Sequence, residues 1–335
     1  MPKLPSILQT HPQMSTVLLT GVNGLVASTI LRKLLERGHT VIGTVRAESK
    51  ATFLREQFKA ALDSDKLKFA VVGDIIVPAA FDNVLRVTQF DVVLRTSSPF
   101  HYSITDIDKE LLQPPLFVKR VVVTSSFASV VDSSKGTRPD KIYTEGDWNP
   151  TDREEGLKDI GSGYFASKKL AEQAAWDFVE EKSPSFTLTA LCPRMVFGPP
   201  EQEVPNMAKL NTSNLDIYDI FNGTSDPRYR IWIWVDVWDL AEAQGLAMHA
   251  LTPTHLMASA LMRSRFVDYI WKHYPERAAA KGFNKHTPGK YYIDEGVYGI
   301  NASKSTMELG MKCTPIEDML RDTLKSFEDI RAEGK

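Results

Sequence analysis

Apolar runs of four to six residues alternate with helical repeats along the chain as far as about residue 200. Runs that are mostly apolar are typical of strands buried on both faces of a sheet. They predict strands at residues 16–20, 41–45, 67–72, 91–94, 118–123 and 187–191. After the first strand, Val26, Ile30 and Leu34 lie four residues apart, which indicates a helix that stops near Gly38. Strands that alternate with helices predict a Rossmann-like α/β fold, a doubly wound parallel sheet.

The regular alternation of strands and helices ends near Pro199. Beyond it, prolines and aromatic residues are scattered, and the clear elements are a strand at 232–235 and a surface helix at 316–327. A further helix is predicted at 163–181. We therefore expect three parts: a loose leader that is not a signal peptide, a Rossmann-like domain, and a smaller, discontinuous lobe. Their expected bounds are 1–15, 16–200 and mainly 201–335.

The composition excludes several classes of protein. The chain has 335 residues, of which 43% are hydrophobic and 24% charged, with a net charge of -2. The missing basic excess argues against a nucleic-acid partner, and no apolar run reaches the ~18 residues of a membrane helix. Cys192 and Cys313 belong to no CxxC or Cys/His cluster. This favours reduced thiols in a cytoplasmic protein, with no metal site.

A glycine-rich turn links the first strand to the first helix, with the sequence Gly21-Val22-Asn23-Gly24-Leu25-Val26-Ala27. In such a turn Gly21 permits the tight bend, and Gly24 lets backbone N–H groups approach a pyrophosphate at the helix start. Ala27 allows close packing of the helix on the sheet. The order strand, GxxGxxA, helix predicts a dinucleotide site formed by residues 21–26. An ordinary strand-to-helix turn is the alternative.

Basic residues follow the second strand, where an NAD-binding protein would carry an acidic residue. Arg46 and Lys50 stand there instead, and two cations suit the 2′-phosphate of NADP. The alternative is a solvated basic loop. Asp74 and Ile75 end the third strand, where an adenine ring would lie, although an ordinary turn aspartate also fits.

Three residues form a candidate catalytic set. Tyr164 and Lys168 are four residues apart on a predicted helix, so they share one face. We expect Lys168 and an oxidised nicotinamide ring together to lower the tyrosine pKa from about 10 towards 7, which takes roughly 4 kcal/mol, so that Tyr164 acts as a general acid. Lys168 is also expected to hold the cofactor ribose, so Tyr164 and Lys168 both count as cofactor-binding candidates. Ser126 ends the fifth strand, at the sheet edge where ligands bind, with Ser125 as the competing candidate.

With these motifs the chain resembles the extended short-chain dehydrogenase/reductases, most closely the dihydroflavonol-reductase and methylglyoxal-reductase branch. The resemblance extends from about residue 16 to 328 and rests on Thr20-Gly21-Val22-Asn23-Gly24, Thr124-Ser125-Ser126, Tyr164 to Lys168, Trp176-Asp177-Phe178, Phe197-Gly198-Pro199 and Val235-Asp236-Val237. It implies Ser126 rather than Ser125 as the catalytic serine. It also implies an NADPH preference at Arg46 and Lys50.

The same resemblance implies further residues that contact the cofactor. Thr96, Ser97 and Ser98 match a loop that touches the cofactor ribose. Pro193 and Val196 match positions at the nicotinamide end, and Ser213 matches a position near cofactor or substrate.

The chain departs from the family at several points. Arg95 stands where the family usually has His, and Cys192 where it usually has Asn. Relatives carry a long crossover helix before the fifth strand, and most of it is missing after residues 111–114. Relatives also carry a strand after residues 251–253, whereas we expect none in 254–265. We expect residues 101–113 to be just long enough for the crossover between parallel strands.

These features together predict an NADPH-dependent reductase that transfers hydride to a small aldehyde or ketone, of the methylglyoxal or dihydroflavonol type. One alternative is a nucleotide-sugar epimerase or dehydratase, which shares the fold and the catalytic set. Another is a non-catalytic NADP-binding sensor or an inactive shortened variant. We expect a small carbonyl compound as partner and no membrane association, and the sequence leaves the oligomeric state open.

Overall fold

The computed structural model describes residues 14–97, 118–222, 233–250, 254–256, 260–261, 264–280 and 297–334. Most of the expected leader lies outside the described residues, as does Ser98. Residues 98–117, which include the connection that lacks most of the relatives' crossover helix, also lie outside the described residues.

The strands are short and are numbered in chain order. They are β1 Thr16–Leu19, β2 Thr40–Val45, β3 Leu67–Val71, β4 Val92–Arg95, β5 Arg120–Thr124, β6 Ile142–Tyr143, β7 Thr187–Leu191, β8 Met195–Phe197, β9 Ile233–Asp236, β10 Thr254–Leu256, β11 Ala260–Leu261 and β12 Gly299–Ile300. The strands predicted from the apolar runs are confirmed as β1, β2, β3, β4, β5 and β7, within two residues at each end.

The helices fill the connections between strands. They are α1 Leu25–Glu36, α2 Thr52–Gln57, α3 Lys59–Asp63, α4 Asp82–Val87, α5 Arg153–Gly156, α6 Ile160–Lys182, α7 Thr212–Asn222, α8 Val237–Ala247, α9 Ser264–His273, α10 Pro275–Ala280, α11 Ser303–Leu309 and α12 Ile316–Ala332. The helices predicted at 163–181 and 316–327 are confirmed as α6 and α12.

One seven-stranded sheet has the order β10-β7-β5-β4-β1-β2-β3. Each neighbouring pair is parallel, so the carboxyl ends of the strands lie along one edge. The chain runs outward from β1 to β3 and then resumes on the other side of β1 with β4. Ligands of such sheets bind at the carboxyl edge near this reversal, so the order confirms the doubly wound fold and indicates where to look for a site.

Strand β1, near the middle of the sheet, is buried on both faces, which explains its apolar run. Val17 and Leu19 pack into a core that includes Ile30 and Leu34 of α1. Leu18 points to the other face, into a core with residues of β2, β3 and the β4 region. Because side chains alternate along a strand, every position of β1 meets an apolar layer.

The expectation that residues 254–265 contain no strand was wrong. β10 pairs in parallel with β7, with Thr254 opposite Thr189 and Leu256 opposite Leu191. Three residues are too few to show a hydrophobic period, so only the pairing with β7 reveals this strand. The sheet is also continuous across the short connection, because Leu94 of β4 pairs directly with Val122 of β5.

Helix α8 packs on the large sheet although it follows residue 200. Asp236 caps it by accepting the Trp238 N–H at 2.7 Å. Glu242 on α8 accepts a hydrogen bond from Lys33 of α1 at 3.0 Å and forms an ion pair with Arg37. The sheet β11-β9-β8 and a second core around α7, α9 and α12 form the more irregular remainder. The division into parts at residue 200 stays a prediction.

Candidate active site

The glycine turn after β1 requires glycine at its first position. Gly21 has a φ of +65°, in the left-handed region that favours glycine. A Cβ added there would lie 3.0 Å from the Cβ of Ser97, so a side chain would crowd the end of β4. Gly24 is exposed, donates its N–H to the Gly21 carbonyl at 3.0 Å, and begins α1 with no side-chain cap.

The rest of the turn is fixed by packing. Val22 is fully buried and donates its N–H to the Thr44 carbonyl at 2.9 Å. Leu25 is buried, whereas Asn23 and Val26 are half-buried. The turn therefore presents exposed backbone at the uncapped start of a helix, which fits the pyrophosphate of a dinucleotide.

Thr20 ties the turn to the loop after β4. Its Oγ1 accepts the N–H of Thr96 at 3.1 Å and the N–H of Ser97 at 3.0 Å, and the Ser97 hydroxyl donates to it at 2.7 Å. The Thr96 hydroxyl bonds to the Thr20 carbonyl. Thr96 and Ser97 thus lie beside the glycine turn, and their contact with the cofactor ribose stays a prediction. Sequence reasoning placed Thr20 at the end of the first strand and in the glycine-turn motif but missed this linking role.

The basic pair and the residues after β3 lie at the same edge of the sheet. Arg46 directly follows β2 and is exposed, and its carbonyl oxygen lies 4.0 Å from a Cβ added at Gly73. Lys50 is exposed in the short 3-10 helix Glu48–Lys50. Asp74 accepts the Ile76 N–H at 3.1 Å, as a turn aspartate does, and Ile75 packs against the core on that face of the sheet.

The candidate catalytic residues come together at the end of β5. Asp159 caps the start of α6 by accepting the Ser162 N–H at 3.0 Å, which sets the helix that carries Tyr164 and Lys168. The Ser126 Oγ lies 3.1 Å from the Tyr164 hydroxyl oxygen. The Lys168 Nζ lies 5.7 Å from the centroid of the Tyr164 ring. Sequence reasoning therefore identified three side chains that the fold places next to one another.

The expected lowering of the Tyr164 pKa by Lys168 and an oxidised nicotinamide ring stays a prediction, and the protein alone sets a different Tyr164 pKa. Burial raises it above its usual value of about 10, against the opposing effects of the Ser126 hydrogen bond and the Arg194 charge. Tyr164 is half-buried as a whole residue, yet enough protein surrounds its hydroxyl for desolvation to dominate. The phenol of the protein alone is therefore protonated across the neutral range, as a general acid must be.

Lys168 shows the corresponding effect on a cation. Burial, and after it the positive charge of Arg95, lowers the pKa of Lys168 to about 8. Arg95 is the last residue of β4 and is half-buried. The residue that stands where the family usually has His thus lowers the pKa of the candidate catalytic lysine, which the sequence alone did not reveal.

Arg194 is a second residue that sequence reasoning missed. Its Nη1 donates to the Tyr298 hydroxyl at 3.0 Å, and its guanidinium lies 5.6 Å from the centroid of the Phe127 ring, next in sequence to Ser126. Pro193 accepts the Phe127 N–H at 2.8 Å. A cation is therefore placed near Tyr164 by residues from distant parts of the chain.

Val196 and Ser213 lie in the irregular part of the molecule. Val196 is half-buried in β8, opposite Val235 of β9. The Ser213 Oγ accepts from Asn211 Nδ2 at 2.8 Å, and the next residue, Asn214, donates to the Gly198 carbonyl at 2.7 Å. The start of α7 is thereby tied to the end of β8.

Two searches of the described residues were negative. They contain no group of three or more His, Cys, Asp or Glu side chains arranged to hold a metal ion. Among their helices, none is both long enough and apolar enough to pass through a membrane.

Comparisons with known proteins agree with this geometry. Residues 17–255 match the model of the NAD dependent epimerase/dehydratase family. The chain is 35% identical over 349 residues to the NADPH-dependent methylglyoxal reductase Gre2 of Saccharomyces cerevisiae, with 96% of this chain and 99% of the relative covered.

A ketoreductase of Aspergillus niger is 33% identical over 93% of this chain and 97% of the relative. The crystal structure of Gre2 from Candida albicans in complex with NADPH superposes with a TM-score of 0.77 at 31% identity, covering 94% of this chain and 99% of that one.

Proposed function

The chain belongs to the NAD dependent epimerase/dehydratase family, and we propose that it is an NADPH-dependent reductase of small aldehydes or ketones. The observation that carries the proposal is the Ser126 Oγ at 3.1 Å from the Tyr164 hydroxyl, with Lys168 one helical turn further on. The relatives named as methylglyoxal reductase and ketoreductase support a carbonyl substrate of the methylglyoxal or dihydroflavonol type.

Residues along the carboxyl edge of the sheet would hold the cofactor. The turn at residues 21–26 fits the pyrophosphate, and Arg46 with Lys50 suits the 2′-phosphate. Further candidates are Asp74, Ile75, Thr96, Ser97, Ser98, Pro193, Val196 and Ser213. NADPH bound there supplies the hydride that the carbonyl carbon receives.

The chain's own residues supply the proton and the orientation. The Ser126 hydroxyl donates a hydrogen bond to the carbonyl oxygen and holds it next to Tyr164. The Tyr164 hydroxyl gives its proton to that oxygen as charge develops, so the product is an alcohol and the residue is left as a phenolate. The Lys168 ammonium, assisted by Arg194, stabilises this negative charge.

Arg46 argues against the epimerase or dehydratase alternative. Such enzymes mostly hold NAD, for which an acidic residue would follow β2. We also propose a cytoplasmic location, as is typical of a chain whose two cysteines, Cys192 and Cys313, belong to no CxxC or Cys/His cluster.

The test is the consumption of NADPH by purified protein with a panel of aldehydes, ketones and flavanonols. Tyr164→Phe should lower kcat/KM by about 10³-fold, within the range of general acid catalysis, while NADPH binding persists. Tyr218→Phe, a matched change in the second core, should leave the rate unchanged. Full activity of Tyr164→Phe would contradict the mechanism. Tight NADPH binding without turnover of any carbonyl would instead favour the non-catalytic sensor.

A further inference from the structure

The two serines that follow β5 send their hydroxyl groups to different partners on one helix. The Ser126 Oγ lies 3.1 Å from the Tyr164 hydroxyl, whereas the Ser125 Oγ donates to Glu172 Oε2 at 2.5 Å. Glu172 lies on α6, one helical turn after Lys168. Helix α6, which carries Tyr164 and Lys168, is therefore also hydrogen-bonded to the segment after β5 that carries Ser126.

Glu172 collects hydrogen bonds from several segments of the chain. It is 2% exposed, and its Oε2 also lies 2.7 Å from the Ser129 Oγ and 3.3 Å from the Cys192 Sγ. Its Oε1 accepts from the Trp176 Nε1 at 3.3 Å. Burying a carboxyl group lowers the stability of the fold unless hydrogen bonds compensate for the lost water. The fold therefore favours the arrangement in which these donors stay close to Glu172.

Ser129 provides a second link between Glu172 and Ser126. Its hydroxyl is also 2.7 Å from the Ser126 carbonyl, which in addition accepts the Ser129 N–H at 2.9 Å. The Ala128 N–H donates to the Ser126 Oγ at 3.1 Å. Glu172 is therefore linked to Ser126 through the preceding residue, Ser125, and through Ser129, which follows it in the chain.

We propose that Glu172 is a positioning residue for carbonyl reduction, which holds the end of β5 against α6 and so sets the distance between Ser126 and Tyr164. This inference rests on the proposed function. Ser126 has to place a substrate oxygen within reach of the Tyr164 proton, and a misplacement of about 1 Å can cost about 10²-fold in rate. Cys192, at a position where the family usually has Asn, contributes one weaker donor to the same group.

The first experiment is a double-mutant cycle on kcat, built from Glu172→Ala, Ser125→Ala and the double variant. We expect Glu172→Ala to lower kcat about 10²-fold, while the KM for the carbonyl and the affinity for NADPH change less than about threefold. The double variant should be no slower than Glu172→Ala, because the two substitutions remove the same contact, the hydrogen bond between Ser125 and Glu172. Glu172→Gln, which keeps the shape and one acceptor, should recover part of the rate.

Glu180→Ala is the matched control, since Glu180 is exposed on the same helix. It should keep kcat within about twofold of the starting protein. An unchanged kcat per folded molecule in Ser125→Ala and Glu172→Gln would overturn the proposal. Fully additive losses in the cycle would overturn it as well, because the two residues would then act independently.

The second experiment needs neither cofactor nor turnover. The Ser126 hydrogen bond lowers the pKa of Tyr164, so a displaced Ser126 should raise it further. The phenol is titrated by tyrosine absorbance, as the difference between each protein and its Tyr164→Phe version. We expect an upward shift in Ser125→Ala and Glu172→Gln and none in Glu180→Ala; an unshifted phenol overturns the proposal. If the protein reduces no carbonyl, the proposed function fails while this titration still decides the role of Glu172.

Discussion

The catalytic end of the candidate site is enclosed and hydrogen-bonded, whereas the basic end is open to solvent. Ser126 is buried, and its Oγ and Tyr164 are joined at 3.1 Å. Arg46 and Lys50 are exposed. At the enclosed end, the reaction rate depends on the exact distances between groups, so small displacements lower it. At the open end, the exposed cations attract the cofactor by charge, and solvent and salt screen that attraction. The two ends should therefore respond differently to substitution.

The largest effect is expected at the enclosed end. Ser126→Ala should lower kcat about 10²–10³-fold, the usual loss when one donor to a developing oxyanion is removed. NADPH affinity should stay close to that of the starting protein. Steady-state kinetics together with a separate NADPH titration checks this. A change confined to the KM for NADPH would show that the serine serves the cofactor instead.

A smaller effect is expected at the open end. Arg46→Glu should raise the KM for NADPH by about tenfold or more, since a hydrogen bond to a charged group contributes about 1.5–3 kcal/mol. The kcat should be almost unchanged, and the difference should shrink at high salt. Lys59→Glu makes the same change of charge at an exposed residue of α3 and should not alter this KM. An equal loss in both variants would contradict a phosphate site at Arg46.

The pH dependence tests the electrostatics of the enclosed end, through Lys168 and Arg95. The pKa of Lys168 is lowered to about 8, so its ammonium is charged below that pH and is lost as the pH rises through it. We expect kcat/KM for reduction to fall above about pH 8 rather than above about pH 10. Arg95→Gln removes a repelling charge and should move this limb to higher pH. A limb that stays in place in Arg95→Gln would exclude the electrostatic role of Arg95.

The smallest effect on activity is expected at a buried charge away from the catalytic set. Burial raises the pKa of Asp236 to about 6, with Asp239 and Asp322 adding to it. A raised pKa means that the folded state holds the proton more tightly, so stability falls as the pH rises from about 4 through 6. Asp236→Asn keeps a capping side chain and should stabilise the protein by up to about 3 kcal/mol at neutral pH.

Urea unfolding at several pH values measures this difference. Asp236→Ala, which loses the cap to the Trp238 N–H, is the companion variant and should recover less stability. Equal stability of Asp236→Asn and the starting protein at neutral and acid pH would show that the charge is not costly. Carbonyl reduction should be nearly unchanged in Asp236→Asn, which separates burial from catalysis.

The central strands of the sheet were predictable because each carries a run of consecutive apolar residues. β1 has three consecutive buried apolar residues and β5 has three consecutive valines, so both stand out in the sequence. β10 has three residues, and its identity depends on pairing with β7, a partner distant in sequence. Propensity and period are local signals, and a strand defined by one distant neighbour gives neither.

The catalytic set was predictable for a similar reason. Tyr164 and Lys168 are linked by helical spacing, and Ser126 by its place at a strand end. Arg194, Thr20 and Glu172 act through contacts between segments that no spacing encodes. The effect of burial on the Tyr164 pKa in the protein alone was not predictable either, because desolvation depends on the packing around the hydroxyl and not on the order of residues.

The position of β10 at the edge of the sheet also affects how the chain folds during synthesis. The strands from β1 to β7 leave the ribosome well before Thr254, so a nascent chain can pair most of the sheet while β7 is still its outer strand. Its backbone groups then face no neighbour on one side, and an open strand of this kind readily recruits another chain. A product truncated before β10 should therefore aggregate rather than merely lose stability, even though it would retain the glycine turn and all three catalytic side chains.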